Sequence, residues 1–267
     1  RLGSLFGEEL IVGNFLSRLY PLLLGLIFFM KINQKFYYFC ALIIFILVDV
    51  IIFLSGERVA FFNLILSSLA IILLIQKWKI ARILTLITSV AIIFFVSVSN
   101  ETVKNRMIDQ TVNKLGIEDG SVYIFSEEHQ NFYISSFKMF LDKPILGHGP
   151  KMYRLICRDD KYFFVSQNTG VNTCNSSPHG TYPQLMAETG LLGVLPVLFA
   201  FVTVLYFFAK SFILNFTNTK PLLSDFQICM LSAILITVWP VVPSGNFFNS
   251  WFSIIFYLPV GFLLYSN

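Results

Sequence analysis

The chain has 267 residues, 56% of them hydrophobic and 13% charged, against about 25% charged in an average soluble domain. Its mean hydropathy is +0.73. A core of this size cannot bury so much apolar surface, which excludes an ordinary soluble domain and sends much of the surface into lipid. The formal net charge is only +4, and the basic residues sit in short gaps between apolar runs, a pattern of membrane orientation and not of nucleic-acid binding.

Taken in chain order, the apolar stretches are 14–30, 36–54, 59–76, 80–98, 182–209, 222–242 and 248–265. Each is near the ~20 residues that a bilayer requires. They predict an all-α polytopic membrane protein of about seven transmembrane helices with one large outer loop carrying short amphipathic helices. Residues 1–98 hold the first four helices, 99–181 the loop and 182–267 the last three. The chain begins with Arg1 and shows no cleavable signal, so further helices upstream are expected, the plainer alternative being a processed N-terminus.

The gaps set the orientation. Lys31 and Lys35 separate the first two stretches; Lys77, Lys79 and Arg82 the third and fourth; Lys210 and Lys220 the fifth and sixth. These gaps alternate with the others and so share one side, which the positive-inside rule makes cytoplasmic. The stretch 99–181 is then outside, with Ser55 to Arg58 and Pro243 to Asn249. Within it, Glu127 to Leu141 predicts an amphipathic helix with Tyr133, Phe137 and Phe140 on one face, ended by Pro144, Gly147 and Gly149. That helix either packs on the loop's own core or lies on the membrane surface. Cys157 and Cys174 fall in the same loop, where an oxidising compartment allows them to pair. Cys40 and Cys229 lie in apolar stretches. Two loop cysteines and histidines without paired spacing do not make a metal site.

Few residues can carry chemistry. Arg58 ends the run Ser55-Gly56-Glu57-Arg58 at the outer surface. It either snorkels beside Glu57 or grips a diphosphate, for which its planar fork of donors is suited. Asp49, inside an apolar stretch, could equally balance a buried cation, snorkel or serve a helix–helix contact. His179 stands just before the fifth stretch. It is either structural or a general base for a sugar hydroxyl. Gln184 and Glu188 follow at i, i+4 spacing on one helix face, and Gly190 and Gly193 offer a small-residue surface. Arg154, Arg158 and Lys151 could add to an electropositive pocket or form a solvated basic face. His129 and His148 are weaker candidates. Phosphate-loop, zincin and nucleophile-elbow motifs are missing, which argues against nucleotide-driven and metal-driven chemistry and implies no cofactor.

Read together, these stretches resemble the O-antigen ligase and polymerase family. Its signature places a His, a polar residue, nine variable residues and then Gly-x-x-Gly; His179, Gly190 and Gly193 match in register, and Gly180 replaces the polar residue. Arg1 to Gly7 resembles the family's Arg- and Gly-containing helix entry, Ser55 to Arg58 its helix-end arginine, and Pro144-Ile145-Leu146-Gly147-His148-Gly149 the turn before the catalytic histidine. The resemblance implies an enzyme of the bacterial inner membrane, multi-pass, with its active site on the periplasmic face. It implies a donor glycan on undecaprenyl diphosphate, moved by a ligase to a lipid A–core sugar or by a polymerase to another lipid-linked repeat, without metal or nucleotide. His179 would be catalytic, Arg58 and Arg154 would bind the donor diphosphate, and Tyr182, Gln184, Glu188 and His129 would support them. A non-enzymatic glycolipid transporter is the remaining reading, but the chain shows no internal repeat to favour it.

Overall fold

The computed structural model describes residues 11–30, 35–105, 107, 110, 126–165, 170, 172–217 and 221–266. The Arg1 to Gly7 motif, Lys31 and Lys220 lie outside the described residues. Among the described residues there are ten helices: α1 (Val12–Phe29), α2 (Lys35–Leu54), α3 (Arg58–Leu74), α4 (Lys79–Ser99), α5 (Glu101–Lys104), α6 (Glu127–Asp142), α7 (Tyr153–Ile156), α8 (Thr181–Phe216), α9 (Asp225–Thr237) and α10 (Ser250–Tyr265). No strand occurs among those residues, only the isolated antiparallel bridges Val165–Asn172 and Gly180–Pro243.

Seven of these helices fall on the seven apolar stretches. Four of them, α1, α2, α4 and α8, are long and apolar enough to cross a bilayer. The other three, α3, α9 and α10, are apolar but shorter, at 17, 13 and 16 residues. The chain divides into two units. The first comprises residues 1–109, 203–237 and 255–267, the second 110–202 and 238–254.

In the first unit α1 packs on α3 and α9, and α2 on α4. Gly25 lets α1 approach α9 closely, because a Cβ there would press on Cys229 and Met230. The turn Ser55-Gly56-Glu57 feeds α3 and also caps the start of α1. Backbone N–H groups of Gly13 and Asn14 donate to the Glu57 carboxylate at 2.7 and 3.2 Å, so an acid satisfies the free amides of a helix start.

Arg82 does not flank a span as the sequence suggested. It lies in the first turn of α4, 1% exposed, with its guanidinium on both carboxylate oxygens of Asp49 at 2.7 and 3.0 Å. Ser68 accepts from it, Ser89 donates to Asp49, and the Tyr20 ring lies 4.7 Å from its carbon. A counter-charge reaching in from α2 makes burial of this cation tolerable. Lys77 and Lys79 remain as the flanking charges of that gap.

The second unit is built on α6, α7 and the start of α8. Its apolar centre is Met139, Tyr153, Cys157, Tyr162 and Ala187, with Ile156 and Cys174 packed against it. A disulfide joins Cys157 to Cys174 with their Cα atoms 5.2 Å apart. Ser126 caps α6 by accepting from the backbone N–H of His129. The buried side of α6 is Asn131, Phe132, Ser135, Ser136 and Met139. The face marked in the sequence, Tyr133, Phe137 and Phe140, is half-exposed or exposed. Periodicity located the helix, but its buried side is the adjacent one, where Ser135 and Ser136 lie beside Phe132 and Met139.

Candidate active site

His179 occupies the left-handed region, with φ +51, which a non-glycine residue adopts only when its surroundings impose it. They do so through its carbonyl, which accepts from the Ser244 backbone N–H at 3.0 Å and from the Tyr133 hydroxyl at 3.4 Å. Next to it Gly180 pairs with Pro243, and Thr181 Oγ1 lies 2.9 Å from Ser244 Oγ. A Cβ at Gly180 would stand 2.9 Å from the Tyr133 ring, so glycine at this position makes room for that tyrosine.

The ring of His179 is half-buried between neighbours from α6: Phe132 at 5.7 Å and His129 at 6.1 Å between ring centres. Its Nε2 lies 3.0 Å from Asn175 Nδ2. The Ser176 backbone N–H donates to Asn175 Oδ1 at 2.7 Å, which orients the amide with its NH2 toward the histidine. Nε2 is therefore the acceptor, and the neutral ring carries its proton on Nδ1. Burial lowers the His179 pKa below its ordinary value, and the Glu128 carboxylate opposes that shift. The ring is thus neutral at neutral pH, with a basic nitrogen held, among the described residues, by an exchangeable amide.

The helix face predicted from Gln184 and Glu188 is present, but its polar groups are spent on structure. Gln184 Nε2 donates to Glu188 Oε2 and to Asn246 Oδ1, both at 2.9 Å, while its Oε1 accepts from the Phe247 N–H at 2.9 Å. Glu188 is fully buried and accepts from the backbone N–H groups of Lys151 and Tyr153, each at 3.0 Å. Tyr182 donates its hydroxyl to the Val238 carbonyl at 2.9 Å. These three residues join the start of α8 to the 238–247 segment and the α7 loop.

Glycines complete the frame. α8 is interrupted at Gly190, with φ +60 and ψ −154. The N–H groups of Leu191 and Leu192 turn instead to the carbonyls of Pro144 and Ile145 at 2.8 and 3.3 Å, and those of His148 and Gly149 reach the carbonyls of Ala187 and Glu188 at 3.0 and 2.8 Å. A Cβ at either Gly147, φ +65, or Gly190 would collide with the opposing backbone. Gly193 faces the Thr189 side chain.

Of the remaining candidates, His129 is brought to His179, with its Nδ1 2.7 Å from Ser126 Oγ. His148 is held in the loop, its Nε2 3.1 Å from the Met139 carbonyl. Arg154 is exposed on α7, between Tyr153, which Glu188 anchors, and the disulfide. Arg158 and Lys151 are exposed. Arg58 belongs to the first unit, half-buried at the first position of α3. Among the described residues no three His, Cys, Asp or Glu side chains cluster to hold a metal ion.

Three partners of His179 escaped the sequence reading: Phe132, Asn175 and Glu128. His129, Phe132 and Tyr133 share helical spacing, i, i+3 and i+4, which could have marked the face turned to the histidine. Asn175 carries no such signal. Beside this constellation, a groove of about 770 Å³ runs between α6 and α8, lined by Gln130, Tyr133, Phe137, Lys138, Pro183 and Met186.

The arrangement can accept a proton from a hydroxyl that takes the place of the Asn175 amide at Nε2. A family model described as O-Antigen ligase matches residues 40–198, more than half of the chain, and covers His179, Arg58 and Gly190 together. No curated protein and no solved structure matches.

Proposed function

Because this chain belongs to the O-antigen ligase family, we propose that it moves a glycan from undecaprenyl diphosphate to a lipid A–core sugar on the periplasmic face of the bacterial inner membrane. Members of the family transfer lipid-linked glycans, and the chain is a multi-pass membrane protein. In this reading the three shorter apolar helices also span the bilayer, and the 99–181 loop lies outside with the Ser55 to Arg58 turn.

The acceptor hydroxyl replaces the Asn175 amide at His179 Nε2 and attacks the anomeric carbon of the donor. Its proton passes to Nε2 as the new C–O bond forms. The bond from the anomeric carbon to the diphosphate oxygen breaks, and undecaprenyl diphosphate leaves with the electron pair. Arg58 and Arg154 hold that diphosphate, whose charge rises as the bond breaks. His129, Tyr133 and Phe132 set the plane of the His179 ring. Gln184, Glu188 and Tyr182 act further back, holding the loop on α8.

One observation carries this reading: a neutral, half-buried histidine in a left-handed backbone, inside the family signature, with its acceptor nitrogen turned to a displaceable amide. Deleting the gene and examining lipopolysaccharide bands tests it. Polymer missing from lipid A but present on the carrier lipid is the expected result. Lipid A capped with a single repeat would mean a polymerase, the alternative acceptor for the same chemistry. An unchanged ladder would overturn both.

A further inference from the structure

We infer that α6 and the turn after it lie in the outer boundary of the bilayer, forming an interfacial helix whose lipid-facing surface continues that of α8.

The helix carries large apolar side chains on both its sides, not on one. Its inward side holds Phe132 and Met139 beside Asn131, Ser135 and Ser136, yet Ile134, Phe137 and Leu141 point outward, with Phe137 49% exposed. The spacing i, i+3, i+7 makes them one stripe along the helix. Ile145 and Leu146 extend the stripe into the turn, Leu146 being 70% exposed. Side chains of this size in one continuous run mark a surface that meets something other than water.

The occupant follows from what the stripe adjoins. Pro144 and Ile145 accept from the N–H groups of Leu191 and Leu192, where α8 is interrupted. From there Leu191, Leu192, Leu195 and Phe199 run exposed along α8, a helix long and apolar enough to cross the membrane. Backbone hydrogen bonds fix Ile145 at the level of Leu192, so lipid that covers Leu192 covers the turn as well. Lys138 and Lys143, exposed at the edges of the stripe, suit the headgroup layer, where lysine stems lie along apolar surface and their charges meet anionic lipid. The surface therefore fits a bilayer and not a protein partner.

The same helix turns His129, Phe132 and Tyr133 toward His179. An α6 seated in the interface holds that histidine at headgroup depth, where the diphosphate of a lipid donor lies. The inference rests on α8 as a span and not on the chemistry of His179, so its failure leaves the transferase reading standing.

The test is depth-resolved quenching in the full chain, in nanodiscs of phosphatidylethanolamine and phosphatidylglycerol. Phe137→Cys and Leu141→Cys, each in a Cys40→Ser background, are labelled with bimane without reductant, and Asp160→Cys in the exposed loop serves as the water-facing control. Lipids carrying a doxyl group at carbon 5 should quench positions 137 and 141 at least threefold more than position 160, while iodide should quench only position 160. Quenching of 137 and 141 by iodide alone would overturn the inference. So would a dye shielded from both quenchers, the mark of a second copy or another protein on the stripe. Two independent positions guard against one variant that misfolds.

Discussion

The two units treat ionisable groups withdrawn from water in opposite ways. In the first, Arg82 and Asp49 meet through two hydrogen bonds, and Ser68, Ser89 and the Tyr20 ring close around them. In the second, His179 is held hard by its backbone, yet among the described residues its Nε2 is met by the exposed amide of Asn175 alone. A charge pair that completes itself inside a helix bundle supports the fold. A ring fixed in place with its basic atom on an exchangeable partner is ready for a substrate. The distinction lies in who satisfies the polar atom, not in how deeply it is buried.

Four measurements would break or sharpen this contrast, starting with the largest effect. His179→Ala should lower glycan transfer by roughly 10²–10⁴ while carrier-lipid binding survives. Arg58→Lys should do the converse, weakening donor binding by loss of its fork while retaining charge. Both quantities can be read side by side in membranes, and near wild-type transfer by the alanine variant would remove His179 as the base.

The Asp49–Arg82 pair predicts the opposite signature, lost stability with no specific defect in turnover per folded molecule. Asp49→Leu strands a buried guanidinium, at a cost of about 3–5 kcal/mol. Thermal unfolding in detergent should show it, and adding Arg82→Leu should recover most of the loss. If the double variant is as unstable as the single, the pair is not the unit described.

A smaller effect is expected from the disulfide. Cys157→Ser with Cys174→Ser opens a loop of sequence separation 17, worth about 3 kcal/mol. Non-reduced peptide mass spectrometry should find the linkage in protein purified without reductant, and two free thiols there would refute it.

The smallest effect is in pH. Transfer requires the neutral ring, and burial lowers the His179 pKa, so activity should hold on acidification and be lost only as pH drops below about 6.5. Glu128→Gln removes the carboxylate that favours the protonated ring and should move the midpoint further down. A midpoint that moves up would show that Glu128 does not act on the histidine.

Much of the fold was legible because lipid imposes a local rule: each apolar stretch must satisfy its own backbone, so length and hydropathy locate helices. The exceptions are pairings between distant positions. Arg82 reads as one more basic residue in a gap until Asp49, 33 positions earlier, is set beside it. Gln184 and Glu188 share a face as their spacing says, but nothing local shows that Asn246, Phe247, Lys151 and Tyr153 will claim their polar atoms. The signature marked His179 and the two glycines. Glu128 stayed hidden because it acts across about 50 residues of chain, and Asn175, only four residues before the histidine, because the non-helical turn between them leaves no periodic signal.

The interruption of α8 at Gly190 has a consequence for how this protein tolerates change. The splice between the 144–149 turn and the helix is main chain against main chain. It asks nothing of the side chains at 145, 146, 191 and 192 except that they be at home in their surroundings, and forbids a side chain at 147 and 190. A saturation library at positions 145–147 and 190–192 should therefore read as two isolated invariant columns amid freely exchanging apolar neighbours. The rigidity of this corner would be written in what two positions lack.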